Sequence, residues 1–222
     1  MEQVLSYAFS LLITLPAVLL TIIIHECAHG YMAYRLGDPT AKHMGRLSLN
    51  PLKHLDPIGT ICMVFFHFGW ARPVPVNPSY FKDPRRGMAL TALAGPAVNI
   101  LTAFLVVPLY FLVEKAFVVH YDTAFLAALL RVLFLFLYYL HSVSLGLALF
   151  NLIPIPPLDG SQILFAILPA RQYNALMRYQ RYFPIIFLVF LLVSSRFGIL
   201  SGISGFISLG MEHIWAIIPY FR

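Results

Sequence analysis

The sequence predicts an all-α, polytopic membrane protein of about four to six transmembrane helices with one re-entrant or β-hairpin element. Three observations lead there. Of the 222 residues, 60% are hydrophobic and only 11% are charged, and the mean hydropathy is +0.81. A soluble domain carries about 25% charged residues, so a water-facing surface cannot be assembled from so few and lipid must cover much of the exterior. The apolar residues are also gathered into runs long enough to cross a hydrocarbon core of about 30 Å. The polar residues lie mostly in the intervals between those runs.

The elements follow in chain order. Residues 4–24 form the first apolar run, with Pro16 as a candidate kink. No basic leader precedes it, so it is read as a retained membrane helix rather than a signal peptide. It continues without a breaker through His25-Glu26-Cys27-Ala28-His29 toward Leu36, where Gly37, Asp38 and Pro39 supply a stop. Residues 38–57 are polar. Residues 58–70 are apolar but short for a span, and they are rich in β-branched and aromatic side chains. That composition suits a re-entrant hairpin, turning at Phe68-Gly69 into a proline-bearing edge strand over residues 71–76. A long run covers residues 88–113, and another covers 125–150.

The second of these ends in Asn151-Leu152-Ile153-Pro154-Ile155-Pro156-Pro157-Leu158-Asp159-Gly160, whose three prolines forbid a continuing helix. Residues 162–168 make a short helix at most. The basic, aromatic stretch 171–181 suits the interface. Residues 184–193 and 199–218 are apolar again, the latter as one helix or two shorter pieces. Without internal repeat or linker, residues 1–222 are taken as a single integral membrane domain.

The net charge of +6 is better explained by the positive-inside rule than by nucleic acid. No basic stripe interleaved with aromatics is present. Arg35, Lys42, Arg46 and Lys53 precede the short apolar stretch, and Arg72, Lys82, Arg85 and Arg86 follow it. If that stretch is re-entrant, both groups face the cytoplasm, and Arg171, Arg178 and Arg181 join them after two more spans. This predicts a multi-pass protein with His25, His29 and Asp159 near the cytoplasmic end of the bilayer. Cys27 and Cys62 make neither a disulfide framework nor a CxxC pair. On a helix Cys27 points about 200° away from His25.

The chemistry lies at the end of the first run. His25 and His29, four apart, sit about 40° from one another around a helix axis and can share one metal ion. Glu26, next to the first of them, can reach a water at that metal and act as general base. Ionisable groups at membrane depth cost several kcal/mol, of order ~3, unless paired or ligated, which argues against a chance HExxH. A catalytic zinc needs a third protein ligand. Asp159 leads the candidates because it lies in a proline-broken segment directly after a span, where irregular backbone must line protein or a wet cavity. A role as helix cap competes with this. Gly160 permits close approach beside it. His43, His54, His67 and His141 are the rival ligands.

At these residues the chain resembles the site-2 protease family of intramembrane zinc metalloproteases, in its compact bacterial and archaeal form. The resemblance rests on His25-Glu26-Cys27-Ala28-His29 and on Asn151-x-x-Pro154-x-x-x-x-Asp159-Gly160. It is supported by Leu36-Gly37-Asp38-Pro39-Thr40, by the stretch from Asn50-Pro51 to Gly59-Thr60, and by Ala94-Gly95-Pro96-Ala97-Val98-Asn99. It implies one Zn2+ per chain held by His25, His29 and Asp159, with Glu26 as base and proteolysis of membrane-anchored substrates near the cytoplasmic face. It also implies a substrate- or oxyanion-binding role for Asn151, with helix capping as the alternative. Asn99 is read as a helix–helix hydrogen bond or substrate contact, and His54 as a buried loop histidine. The partners implied are a transmembrane protein substrate and the bilayer, without nucleic acid. Two other functions compete: a zinc hydrolase of a non-protein membrane substrate, and a metal-binding or transport protein that has no use for Glu26.

Overall fold

The computed structural model describes residues 2–66, 71–119 and 122–218. Among them the chain is α-helical, with no strand beyond an isolated antiparallel bridge between Leu55 and Ala71. Helix α1 spans Glu2–Arg35, α2 Thr40–His43, α3 Pro57–Phe66, α4 Pro84–Val119, α5 Ala124–Asn151, α6 Asp159–Ile167, α7 Ala170–Met177, α8 Phe183–Phe197 and α9 Ile199–Ala216. Among the described residues four segments are long and apolar enough to cross a membrane: Phe9–Arg35, Pro84–Val119, Ala124–Asn151 and Gln180–Phe197. The protein is an integral membrane protein, and α9 is a single helix.

The core forms where α1, α4, α5 and α9 meet. Ala17 and Ala103 are fully buried there beside Val107, Tyr110, Leu140, Leu145 and Met211. Alanines at a helix crossing let backbones approach closely, which matters where lipid offers no hydrophobic drive for association. Polar side chains tie the same helices together: the Thr21 and Ser144 hydroxyls meet at 3.0 Å between α1 and α5. Outside this core many large apolar side chains, such as Leu101, Leu105 and Leu109 along α4, are exposed, as a lipid-facing wall requires.

The β-hairpin expected over residues 58–76 is corrected in both limbs. Residues 57–66 form α3, and the start signal is local. Asp56 accepts the Gly59 N–H through Oδ1 at 2.8 Å, and its carbonyl accepts the Thr60 N–H. An aspartate cap followed by proline at the first helical position starts a helix, and it outweighs the β propensity of the residues after it. The turn at Phe68-Gly69 lies outside the described residues. The second limb, expected as an edge strand over residues 71–76, forms no strand: Ala71 makes the isolated bridge to Leu55 and residues 72–77 carry no regular secondary structure.

The proline-broken segment behaves as its sequence demands. Helix α5 stops at Asn151 and α6 starts at Asp159. Gly160 is required by close approach: a Cβ there would collide with the backbone of Leu152 and Ile153. The start of α6 is thereby pressed against the end of α5, which turns Asp159 back toward α1.

Candidate metal centre

Helix α1 presents His25 and His29 one above the other, their ring centroids 4.5 Å apart and nearly perpendicular. Asp159 Oδ2 lies 3.1 Å from His25 Nε2 and 3.3 Å from His29 Nε2. Ligands about 2.0–2.1 Å from a tetrahedral zinc are roughly 3.3 Å from each other, so these separations suit a shared ion. All three ligand atoms fall within 4.8 Å of one another, and among the described residues no other group of three His, Cys, Asp or Glu does so. Burial opposes ionisation of the Asp159 carboxyl, yet the two imidazoles beside it outweigh that and hold the carboxyl at about 2. Asp159 is thus a carboxylate at neutral pH, the form a metal needs. It is the first residue of α6, whose cap position is Leu158, and it makes no capping hydrogen bond. The cap alternative fails.

Helix α4 builds the wall behind the two imidazoles with residues four apart on one face. The Thr91 carbonyl lies 2.7 Å from His29 Nδ1, and the Asn99 amide meets His25 Nδ1 at 3.1 Å. Between them Gly95 makes room: a Cβ there would sit 2.5 Å from His29 Nε2 and 2.7 Å from His25 Cε1. With both Nδ1 atoms engaged, both Nε2 atoms face the shared point. Two imidazole nitrogens and a carboxylate oxygen are a donor set suited to zinc.

Glu26 is held from another direction. Its Oε2 accepts the Val74 N–H at 2.8 Å. Val74 belongs to the irregular segment 71–77, which is pinned along its length. The Arg72 N–H donates to the His54 carbonyl at 2.8 Å, buried Arg46 donates to the Arg72 and Pro73 carbonyls, and the Asn77 N–H donates to Asp38 Oδ2 at 2.7 Å. Glycine at position 30, one turn beyond Glu26, allows the Val74 side chain to lie against α1; a Cβ would come within 2.9 Å of it.

Glu26, His25, His29, Asp159, Asn151 and Val74 all line one cavity of about 480 Å³. Asn151 is at its edge as the last residue of α5. One N–H of its amide goes to the Leu147 carbonyl at 3.1 Å, which is the capping behaviour held as the alternative; an amide nitrogen has a second N–H.

The rival histidines are elsewhere. His54 is buried, its Nε2 2.7 Å from the Ser48 carbonyl, in keeping with a loop histidine. His141 is engaged between α4 and α9, His43 is exposed at the end of α2, and His67 lies outside the described residues. Cys27 faces away from His25 as helix geometry requires, donating to the Ser48 carbonyl at 3.3 Å. The contribution of Val74 was not foreseen, because a backbone N–H carries no signature in the sequence. Asn99, read from the sequence as a helix–helix hydrogen bond or substrate contact, makes such a bond between α4 and α1, and its partner is His25.

Comparison with known proteins decides the family. Residues 13–194 match the pattern of Peptidase family M50. The chain belongs to family M50, the site-2 protease family. It is 42% identical to YwhC of Bacillus subtilis, a candidate zinc metalloprotease, over 85% of this chain and 84% of that one. It is 28% identical to Rip2 of Mycolicibacterium smegmatis over 78% and 67% of the two chains. With Rip2 of Mycobacterium tuberculosis H37Rv it shares 28% identity over 90% and 74%. Both Rip2 proteins bear the same candidate description. No solved structure matches the chain.

Proposed function

We propose that this M50 chain is an intramembrane zinc metalloprotease that cuts membrane-anchored proteins near the cytoplasmic face. Zinc is the cofactor of an M50 metalloprotease of this kind. The observation that carries the reading is the convergence of His25, His29 and Asp159 beside Glu26 in one cavity, at the ends of membrane-spanning helices.

His25, His29 and Asp159 hold the ion. Zinc, when bound, supplies the Lewis acidity that makes water nucleophilic near neutral pH. Glu26, aimed by the Val74 N–H, takes the proton of the attacking water and later delivers it to the leaving amine. Asn151 supports the carbonyl oxygen of the substrate with the amide N–H not used on Leu147.

A substrate helix has its carbonyls already hydrogen-bonded and must unwind before attack. The segment 71–77 offers a template for the unwound strand. Pro73 and Pro75 have no N–H, so that edge cannot donate. Val74 and Val76, alternating with them, share the other edge and line the cavity. A substrate strand laid beside Val76 would pass the metal ligands in extended form, as in β-augmentation, while the Val74 N–H stays on Glu26. Charge supports the cytoplasmic orientation. The basic residues of 35–86 and 171–181 lie at the end of the spans where α1 and α5 finish and α4 begins.

The test is a paired measurement on purified protein, of bound zinc and of cleavage of single-span model substrates, for wild type and Glu26→Gln. Retained zinc with cleavage reduced about 10²- to 10⁴-fold is expected for loss of a general base. Undiminished cleavage by Glu26→Gln overturns the mechanism. Zinc without cleavage by wild type of any substrate turns the reading toward metal binding, transport or a non-protein substrate.

A further inference from the structure

The two histidines have unlike supports. His29 Nδ1 faces the Thr91 carbonyl, which only accepts. His29 must therefore carry its hydrogen on Nδ1, and its Nε2 presents a lone pair. His25 Nδ1 faces the side-chain amide of Asn99, which can offer either a donor or an acceptor.

Asn99 is fully buried, and its Oδ1 has no hydrogen-bond partner while Nδ2 lies 3.1 Å from His25 Nδ1. Oxygen and nitrogen of a primary amide have nearly the same shape, and half a turn about Cβ–Cγ exchanges them. The two placements differ in chemistry. If Nδ2 donates, His25 Nδ1 must hold the lone pair, and the ring hydrogen sits on Nε2. That nitrogen points at Asp159 Oδ2, and a nitrogen bearing hydrogen cannot ligate a metal. If Oδ1 faces Nδ1, the hydrogen sits on Nδ1 and the Nε2 lone pair faces the ligand point, as in His29.

We propose that Asn99 is a positioning residue for the metal centre: its Oδ1 accepts from His25 Nδ1 and so fixes the tautomer in which His25 Nε2 can bind the ion. This rests on the assignment of His25, His29 and Asp159 as ligands. The position of Asn99 supports it independently. Thr91, Gly95 and Asn99 are spaced four apart, so one stretch of α4 supplies a carbonyl, a gap and a side-chain amide to the same two rings. A residue buried only to glue helices together would have no need to meet a ligand histidine at the nitrogen opposite its ligating one. Partners of this kind on a metal-bound imidazole typically contribute 10- to 100-fold in metal affinity.

The experiment is zinc affinity by competition with a chromogenic chelator, on the full chain in detergent. Asn99→Asp keeps an acceptor and removes the donor; Asn99→Leu removes both at similar volume. Asn99→Asp is expected to bind within about threefold of wild type, and Asn99→Leu about 10- to 100-fold more weakly. Wild-type affinity in folded Asn99→Leu overturns the proposal, as does an Asn99→Asp protein that is folded yet as weak as Asn99→Leu.

A second measurement uses the wild type alone, should the variants fail to fold. Ring ¹⁵N spectra of the zinc-free protein, with His25 assigned by its loss in His25→Gln, are expected to show hydrogen on Nδ1. A bare Nδ1 overturns the proposal. Absence of zinc binding by wild type would instead remove the ligand assignment on which the proposal stands.

Discussion

Two clusters of histidine and carboxylate lie within this protein, and they differ in how they spend their ring nitrogens. In the first, His25 and His29 each give Nδ1 to a neighbour on α4 and turn Nε2 toward Asp159 and a cavity. In the second, His141 spends both nitrogens: Nδ1 lies 2.9 Å from the Ala103 carbonyl and Nε2 2.8 Å from Ser208 Oγ. Ser208 and Tyr110 both donate to Glu212 Oε1, at 3.2 and 2.7 Å. That network joins α4, α5 and α9 and does not border the cavity. An ionisable group in a membrane span is by default a functional hypothesis, yet only one of these clusters has a nitrogen to offer. Counting committed donors separates a ligand from a strut.

The contrast breaks most easily at Asp159 and His141. Replacing Asp159 by Ala removes one of the three proposed ligands, and zinc content measured by atomic absorption should fall from one per chain to near zero. Replacing His141 by Leu should leave zinc at wild-type level. It leaves the Ala103 carbonyl and Ser208 with one partner fewer, and a stability loss of about 1–3 kcal/mol is expected by detergent unfolding. Zinc loss in His141→Leu without unfolding would erase the distinction.

A smaller effect separates two glycines. A Cβ at Gly95 meets both ligand imidazoles, whereas one at Gly146, on α5, meets nothing within 4 Å. Gly95→Ala should weaken zinc binding by displacing the rings. Gly146→Ala should leave it unchanged and stabilise its helix by up to about 1 kcal/mol. Equal zinc affinities in the two proteins would show that α4 does not press on the site.

The clamp at Asp38 gives a pH signature. Burial raises the pKa of this carboxyl, but the Thr40 hydroxyl and the backbone N–H groups of Asn77 and Thr40 outweigh that and hold it below its ordinary 3.8. A lowered folded-state pKa contributes stability that is present above the unfolded value and lost as pH falls through the folded one. Unfolding midpoints should drop below about pH 4 in wild type, and Asp38→Asn should be less stable at neutral pH with a flatter acid limb. The smallest effect belongs to Ser144→Ala. Breaking the bond to Thr21 should cost about 0.6 kcal/mol, the average for side-chain hydrogen bonds between membrane helices.

Much of this was legible in the sequence because membrane spans announce themselves. The runs at 88–113 and 125–150 fall inside α4 and α5, and the first run falls inside α1. Pro154, Pro156 and Pro157 stop α5 where they must. The three convergent side chains were legible too, since HExxH fixes two of them by helix geometry and Asp159 is set apart by its broken backbone. The hairpin misled because β-branched and aromatic residues are also what a membrane-bordering helix carries. Asp56-Pro57, a helix start, was the signal that should have prevailed. The roles of Val74 and of the Thr91 carbonyl were not legible, as main-chain groups are the same at every position.

Mutational scanning of this protein would miss such main-chain contacts. Glu26 is aimed by a peptide N–H, and alanine at position 74 keeps it. A scan by alanine would record a trimmed valine and pass over the contact; only proline at 74, between the prolines already at 73 and 75, deletes the donor itself. The surroundings of Glu26, the proposed base, are encoded in the path of the chain, so a catalogue of tolerated side chains would understate how closely residues 71–77 are constrained.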